Sequence, residues 1–242
     1  RDELAELDAA ADLQALERDV QQADAAWLKV AQVASRQRRQ IAPVLGRDVT
    51  DAMQSLGMSG GRFEVSLTDL AEPQAHGLEA IEFLVAGHAD STPRPLGKVA
   101  SGGELSRLAL AIAVTTSQRD ERIAQVDTLI FDEIDSGVGG QVADTVGQLM
   151  QRLGQGRQVL AVTHLAQVAA SAHHHLVVSK ALQGGQTTSD IRPVEGDDRT
   201  REVARMLGGA ITDTSRAHAQ AMLAQARELD SPKPIKKRKE AA

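Results

Sequence analysis

The segment VDTLIFDEIDSG, Val126 to Gly137, decides the fold. Thr128, Leu129, Ile130 and Phe131 make a short, mostly apolar run suited to a buried strand, and it ends on Asp132 and Glu133. In open α/β sheets the carboxyl ends of strands are where ligands bind. The run therefore delivers a carboxylate pair to the working edge of a sheet. One carboxylate of such a pair can hold the water shell of a Mg²⁺ ion while the other orients and deprotonates a water. Acidic residues that merely terminate a strand would look the same.

The surrounding sequence supplies the rest of the sheet. A helix is expected from Gly102 to about Ser117, then the strand VDTLIF, a helix from about Gly140 to Leu153, the strand RQVLAVT, the short helix LAQVAA and the strand HHLVVS. Strands alternating with helices point to a parallel sheet covered on both faces. RQVLAVTHL brings His164 to the edge already occupied by Asp132 and Glu133. An imidazole there could touch a phosphate or an attacking water, although a lone histidine also serves as an ordinary hydrogen-bonding residue. Further on, Gly184-Gly185 before TTSDIRPV suggests a hairpin, and REVARMLGG and SRAHAQAMLAQARELD read as two helices.

Upstream of the carboxylate strand lies KVASGGELSR, Lys98 to Arg107. Gly102 and Gly103 at a helix start leave backbone N–H groups unshielded, and the helix dipole favours an anion at that end. Ser101 could cap the helix, with Glu104 completing a capping box. Capping accounts for Ser101 and Glu104 but gives no reason for the glycines. A phosphate-binding GxxxxGK[ST] loop is missing: around Gly97-Lys98 the residue five before the glycine is Thr92 and the one after the lysine is Val99.

The first forty or so residues contain neither Gly nor Pro and are rich in helix formers. Leu13, Leu16, Val20, Ala23, Trp27, Val30, Ala34, Gln37 and Ile41 recur at alternating spacings of three and four, a coiled-coil seam. Leu4, Leu7 and Ala11 join it only after a phase slip. Ala and Gln in the seam weaken it, so the helix wants a partner. The helix is expected to stop near Pro43, with RDVTDAMQSLGM a separate short helix and GRFEVSL and LEAIEFLVA two strands.

Composition narrows the function. With no cysteine, disulfides and thiolate metal sites are excluded. Aromatic residues at 2% leave little for base stacking, so nucleic-acid contact would run through phosphates. A net charge of -6 argues against a DNA-coating protein, although Lys233, Lys236, Lys237, Arg238 and Lys239 form a basic tail. Gly57 to Gly61 matches the nucleophile pattern GxSxG. That pattern belongs on a strand-to-helix turn, whereas here a helical segment runs into a strand, which disfavours a hydrolase. His173, His174 and His175 lack an obvious third ligand for a metal. The sequence shows no membrane span or signal peptide, a cytoplasmic site is the default, and the start at Arg1 suggests a piece of something longer.

In order, these pieces resemble the C-terminal half of an ABC-type ATPase head: SGGE its signature, LIFDE its Walker B strand, IDSGV its D-loop and THL its histidine switch loop. Glutamate after SGG and a coiled coil entering the head are similar to the SMC-like branch. KVASGGELSRLALAI, FDEIDSGVGG, VTHLAQVAA and REVARMLGG…SRAHAQAML resemble the members of that branch that act in bacterial DNA double-strand break repair and recombination. The resemblance implies a mostly parallel α/β lobe with a returning coiled-coil arm at 1–44, the head lobe at 45–230 and a basic tail at 231–242.

It also implies that ATP and Mg²⁺ bind between two heads, with the Walker A half supplied from outside this chain. Ser101, Gly102, Gly103 and Glu104 would form the signature that meets the opposite head's γ-phosphate. Asp132 would hold Mg²⁺ through water, and Glu133 would be the general base. His164 would contact the γ-phosphate, and Asp135 would couple the two sites across the dimer. The partners implied are the Walker A half, a second head, DNA and recombination proteins, in a nucleoid-associated setting. By itself the fragment is expected to be inactive. A scaffold for DNA ends or a partner protein is the competing class, with a transporter ATPase fragment a third.

Overall fold

A computed structural model describes residues 2–98, 102–117, 126–183 and 186–230. Ser101, Gly184, Gly185 and the basic tail lie outside these residues. Helix α1 spans Asp2–Ser55. It is followed by strands β1 (Arg62–Gln74), β2 (Gly77–Ala86) and β3 (Arg94–Pro95), and then by helix α2 (Gly102–Ser117). Next come β4 (Thr128–Phe131), α3 (Gly140–Leu153), β5 (Gln158–Ala161) and α4 (Ala166–Ser171). The chain continues through β6 (Leu176–Gln183) and β7 (Gln186–Pro193) to α5 (Gly196–Gly208) and α6 (Asp213–Asp230).

Helix α1 does not stop at Pro43, and the segment expected as a separate helix is its continuation. A proline inside a helix forfeits one hydrogen bond and crowds the preceding turn, at about 3 kcal/mol. Beyond it, however, Val49, Met53 and Leu56 are fully buried. Each such side chain contributes about 1.5–3 kcal/mol, so burial outweighs the break. The helix thereby crosses the boundary expected at residue 44.

The face of α1 that packs is also not the expected seam. Leu13, Leu16, Val20, Val30 and Ile41 are exposed, whereas Ala31, Ser35, Ala42, Gly46, Val49 and Met53 are buried against the β1–β2 hairpin and the core. The helix therefore has two working faces, one docked and one left apolar toward solvent. A buried carboxylate fixes the docked face. Glu79 on β2 is 0% exposed; it accepts a hydrogen bond from the Ser35 hydroxyl and lies 3.4 Å from Arg38 Nη1 and 3.6 Å from Arg39 Nη2. Arg38 Nη2 also donates to the His76 carbonyl at 2.8 Å, holding the hairpin turn to the helix.

β1 and β2 pair antiparallel, Phe63 opposite Val85 and Leu67 opposite Ile81, and β3 adds to the β2 edge. β4 and β5 are parallel, in register from Thr128–Gln158 to Phe131–Ala161. β6 was expected to extend that sheet. It pairs instead with β7, antiparallel from Leu176–Pro193 to Gln183–Gln186, as the hairpin reading requires. Among the described residues the parallel sheet is therefore only this pair, and the other two sheets are antiparallel.

Its cover is also one-sided. Leu129, Phe131 and Val159 turn into a core shared with Met53, Leu56 and Phe63 and with Leu108, Leu110, Val146 and Met150 of α2 and α3. The alternate positions face outward, with Ile130 71% exposed and Leu160 and Val162 exposed beside it. A second core holds α4, α5 and α6 together through Ala166, Ala170, Val203, Ala204, Ala219 and Leu223.

Candidate nucleotide site

The start of helix α2 lies beside the carboxyl end of strand β4. Ser106 Oγ donates to the Asp132 carbonyl at 2.6 Å, and Arg107 Nη1 donates to the Ser136 carbonyl at 2.7 Å. Arg107 is buried, and desolvation, opposed in part by the Glu104 charge, lowers its pKa. A charge held at that cost secures the loop that follows the carboxylates. Neither Ser106 nor Arg107 was picked out from the sequence. Their signal was the spacing: each stands four residues after a signature glycine, Gly102 or Gly103, and hence on its face of the helix.

The glycines have a local reason. A Cβ on Gly102 would lie 2.7 Å from Glu133 Oε2, and one on Gly103 would lie 2.9 Å from Ser136 Cβ and 3.1 Å from the Ser136 carbonyl. A side chain at Gly103 would collide with the loop itself, whereas one at Gly102 would meet only the end of the Glu133 side chain. The carboxylate of Glu133 thus rests beside the positive end of α2, where an anion is favoured. Glu133 also adopts φ 55, the left-handed region, alone among the described non-glycine residues. Such a backbone costs about 1–3 kcal/mol and persists only where its surroundings impose it.

Asp132 is exposed, and its Oδ1 accepts the Glu133 N–H at 2.9 Å. The parallel register carries the same edge onto β5: Val162 N–H donates to the Phe131 carbonyl at 3.0 Å, so Thr163 and His164 follow directly beside Asp132 and Glu133. Asp135 joins the two strand ends. Its carboxylate is buried, its Oδ2 accepts from the Thr163 hydroxyl and from the His164 peptide N–H at 2.8 Å, and His164 Nδ1 lies 3.1 Å from the same oxygen. Thr163, also missed in the sequence, is recognisable only by this contact.

The structure thus brings together Gly102, Gly103, Asp132, Glu133, Asp135 and His164, with Glu104 on the first turn of α2. Ser101 falls outside the described residues. His173, His174 and His175 precede β6 instead of forming its start, and among the described residues no group of three or more metal-binding side chains occurs. The GxSxG segment links α1 to β1, helix to strand, as the sequence suggested. A groove of about 670 Å³ between α1 and β1, lined by Pro43, Arg47, Arg62 and Phe63 among others, contains none of the site residues. Among the described residues no helix is long and apolar enough to cross a membrane.

Helix α2, the carboxylate strand and the histidine turn therefore meet at one edge of an α/β lobe entered by a long helix, as the resemblance to the C-terminal lobe of an SMC-like ABC-type head implied. Within that class the chain belongs to the RecN family. It is 41% identical over 220 residues to the DNA repair protein RecN of Xylella fastidiosa strain 9a5c, covering 90% of this chain and 39% of that protein. It is 40% identical over 213 residues to RecN of Deinococcus radiodurans, covering 88% and 37%. Treponema pallidum RecN is 41% identical over 222 residues, covering 89% and 38%. The chain thus spans about two fifths of the length of these relatives, as a C-terminal portion. No family model matches it. Among solved structures, the Smc head domain with a coiled coil and joint from Pyrococcus yayanosii is 18% identical with a TM-score of 0.47, covering 66% of this chain and 28% of that one.

Proposed function

We propose that the chain is one half of a composite ATPase head in DNA double-strand break repair and recombination, completed by a Walker A-bearing half and working as a dimer of heads. The observation that carries this is the meeting of the α2 start, the Asp132–Glu133 strand end and the Thr163–His164 turn at a single edge. Exposed Ile130, Leu160 and Val162 support it further, since a strand pair bare on one face is completed by packing against the missing half.

The residues suit Mg²⁺ and ATP as part of a shared site. Mg²⁺ keeps most of its waters and takes one or two protein carboxylates plus substrate phosphates, so the exposed carboxylate of Asp132, immediately after the last residue of β4, is the matching donor. When bound, the metal would neutralise charge on the phosphates. Ser101, Gly102, Gly103 and Glu104 would present the α2 start to the γ-phosphate of the opposite head, where small side chains allow close approach. Glu133, leaving its place beside Gly102, would orient and deprotonate the attacking water. His164 would contact the γ-phosphate of its own head. Catalysis of this kind is positioning and electrostatics far more than covalent chemistry.

Asp135 is turned into its own chain, so coupling between heads through this residue would travel by way of the Thr163–His164 turn. DNA contact would be through phosphates, with the basic tail a candidate, and a cytoplasmic, nucleoid-associated setting fits that role. The test is ATP hydrolysis by this chain mixed with a matching N-terminal half, repeated with Glu133→Gln. Hydrolysis that needs both halves and disappears in the variant is the expected result; unchanged hydrolysis in the variant removes Glu133 as the base.

A further inference from the structure

We propose that Asp135 is a positioning residue that fixes the tautomer of His164, holding the hydrogen on Nδ1 and presenting Nε2 to the site. A carboxylate can only accept hydrogen bonds, so a bare ring nitrogen 3.1 Å from it would face it lone pair to lone pair, and the nitrogen that carries the hydrogen is the favoured neighbour. Nδ1 lies 3.1 Å from Asp135 Oδ2, and that oxygen is fixed from two further directions, by the His164 peptide N–H at 2.8 Å and by the Thr163 hydroxyl. Thr163 Oγ1 in turn accepts the Leu165 N–H at 3.0 Å. The contrast in burial fits an anchor and a tool: Asp135 is 3% exposed, whereas the His164 side chain is 73% exposed.

The neutral ring therefore offers a lone pair at Nε2, an acceptor for the hydrogen of a water. Against a phosphate oxygen, itself an acceptor, Nε2 must first gain a proton. The consequence for phosphate rests on the function proposed above; the tautomer itself rests on geometry alone, and the two are tested separately.

The ¹⁵N and ¹H ring correlations of His164 are recorded on the nucleotide-free, ¹⁵N-labelled chain at a pH where the ring is neutral. His164→Gln assigns the signals. The expected result is the Nδ1–H pattern, lost in Asp135→Ala and kept in Thr163→Val, which loosens the turn without removing the carboxylate. Asp135→Asn serves if the alanine variant does not fold: it should weaken the pattern, because the amide is a poorer acceptor than the carboxylate. An Nε2–H pattern in the unsubstituted chain overturns the proposal, as does an Nδ1–H pattern that survives intact in both Asp135→Ala and Asp135→Asn. Absence of ATP hydrolysis from the head reconstituted with the N-terminal half, with the Nδ1–H pattern intact, would instead fault the ATPase assignment.

Discussion

Gly102 and Gly103 are adjacent, yet alanine at each should have different consequences. At Gly103 the added methyl would stand 2.9 Å from Ser136 Cβ and 3.1 Å from its carbonyl, and the Ser136 carbonyl is itself held by Arg107. Backbone cannot swing aside, so this is overpacking, at about 1–3 kcal/mol. Replacing glycine by alanine in a helix returns about 0.5–1 kcal/mol, leaving a net loss of up to about 2.5 kcal/mol, centred on about 1 kcal/mol. At Gly102 the methyl would meet only Glu133 Oε2, the far end of an exposed, flexible side chain. That carboxylate can rotate away at the cost of its interaction with the helix end, about 0.3–1 kcal/mol. The propensity gain cancels this, so Gly102→Ala should lie within about 0.5 kcal/mol of the parent. Urea unfolding at neutral pH measures both as shifts in midpoint at constant slope. Equal losses at the two positions, or a stabilised Gly103→Ala, would refute this account of the glycines. In a reconstituted head, Gly102→Ala should nevertheless impair ATP-driven hydrolysis, because its effect falls on close approach and not on folding.

Pro43→Ala should raise stability by about 1–3 kcal/mol, since the helix already continues through that position at the expense of a proline; a loss in urea unfolding would contradict this. His175 should give the fold a pH dependence: burial first, and then the Arg199 charge, lower its pKa below the usual 6.5, with Glu202 opposing. The unfolded chain therefore binds the proton more readily, and stability contributed by the neutral ring is full above about 6.5 and falls as pH drops toward the folded value. His175→Asn should flatten the decline in urea midpoint between about pH 7.5 and 5.5, and an unchanged slope would remove His175 as its source.

Most of the α/β succession was legible because its helices and strands announce themselves in register. Gly102 to Ser117 and Gly140 to Leu153 come out as helices with the expected bounds. Three features were not. The passage of α1 through Pro43 depends on tertiary burial of Val49, Met53 and Leu56, which local propensity does not contain. The docked face of α1 is hidden because it is built from small and polar residues such as Ala31, Ser35 and Gly46, with Glu79 supplying the anchor from a distant strand. The separation of the β6–β7 hairpin from the parallel pair was missed because LVVS reads the same in either kind of sheet, although Gly184-Gly185 announced the hairpin itself. In the site, the motif residues were visible by type and spacing, whereas Ser106, Arg107 and Thr163 gain their roles only from contacts across 26 to 29 residues of chain.

The central claim, that this lobe supplies the base and signature of a composite ATPase head, is tested most directly by ATP turnover in a mixture with the Walker A-bearing half. Turnover should be absent from either half alone, present in the mixture, and abolished by Glu133→Gln while ATP-dependent association of heads persists. A mixture that associates but shows no response to ATP, or a Glu133→Gln mixture that hydrolyses at the parent rate, would contradict it.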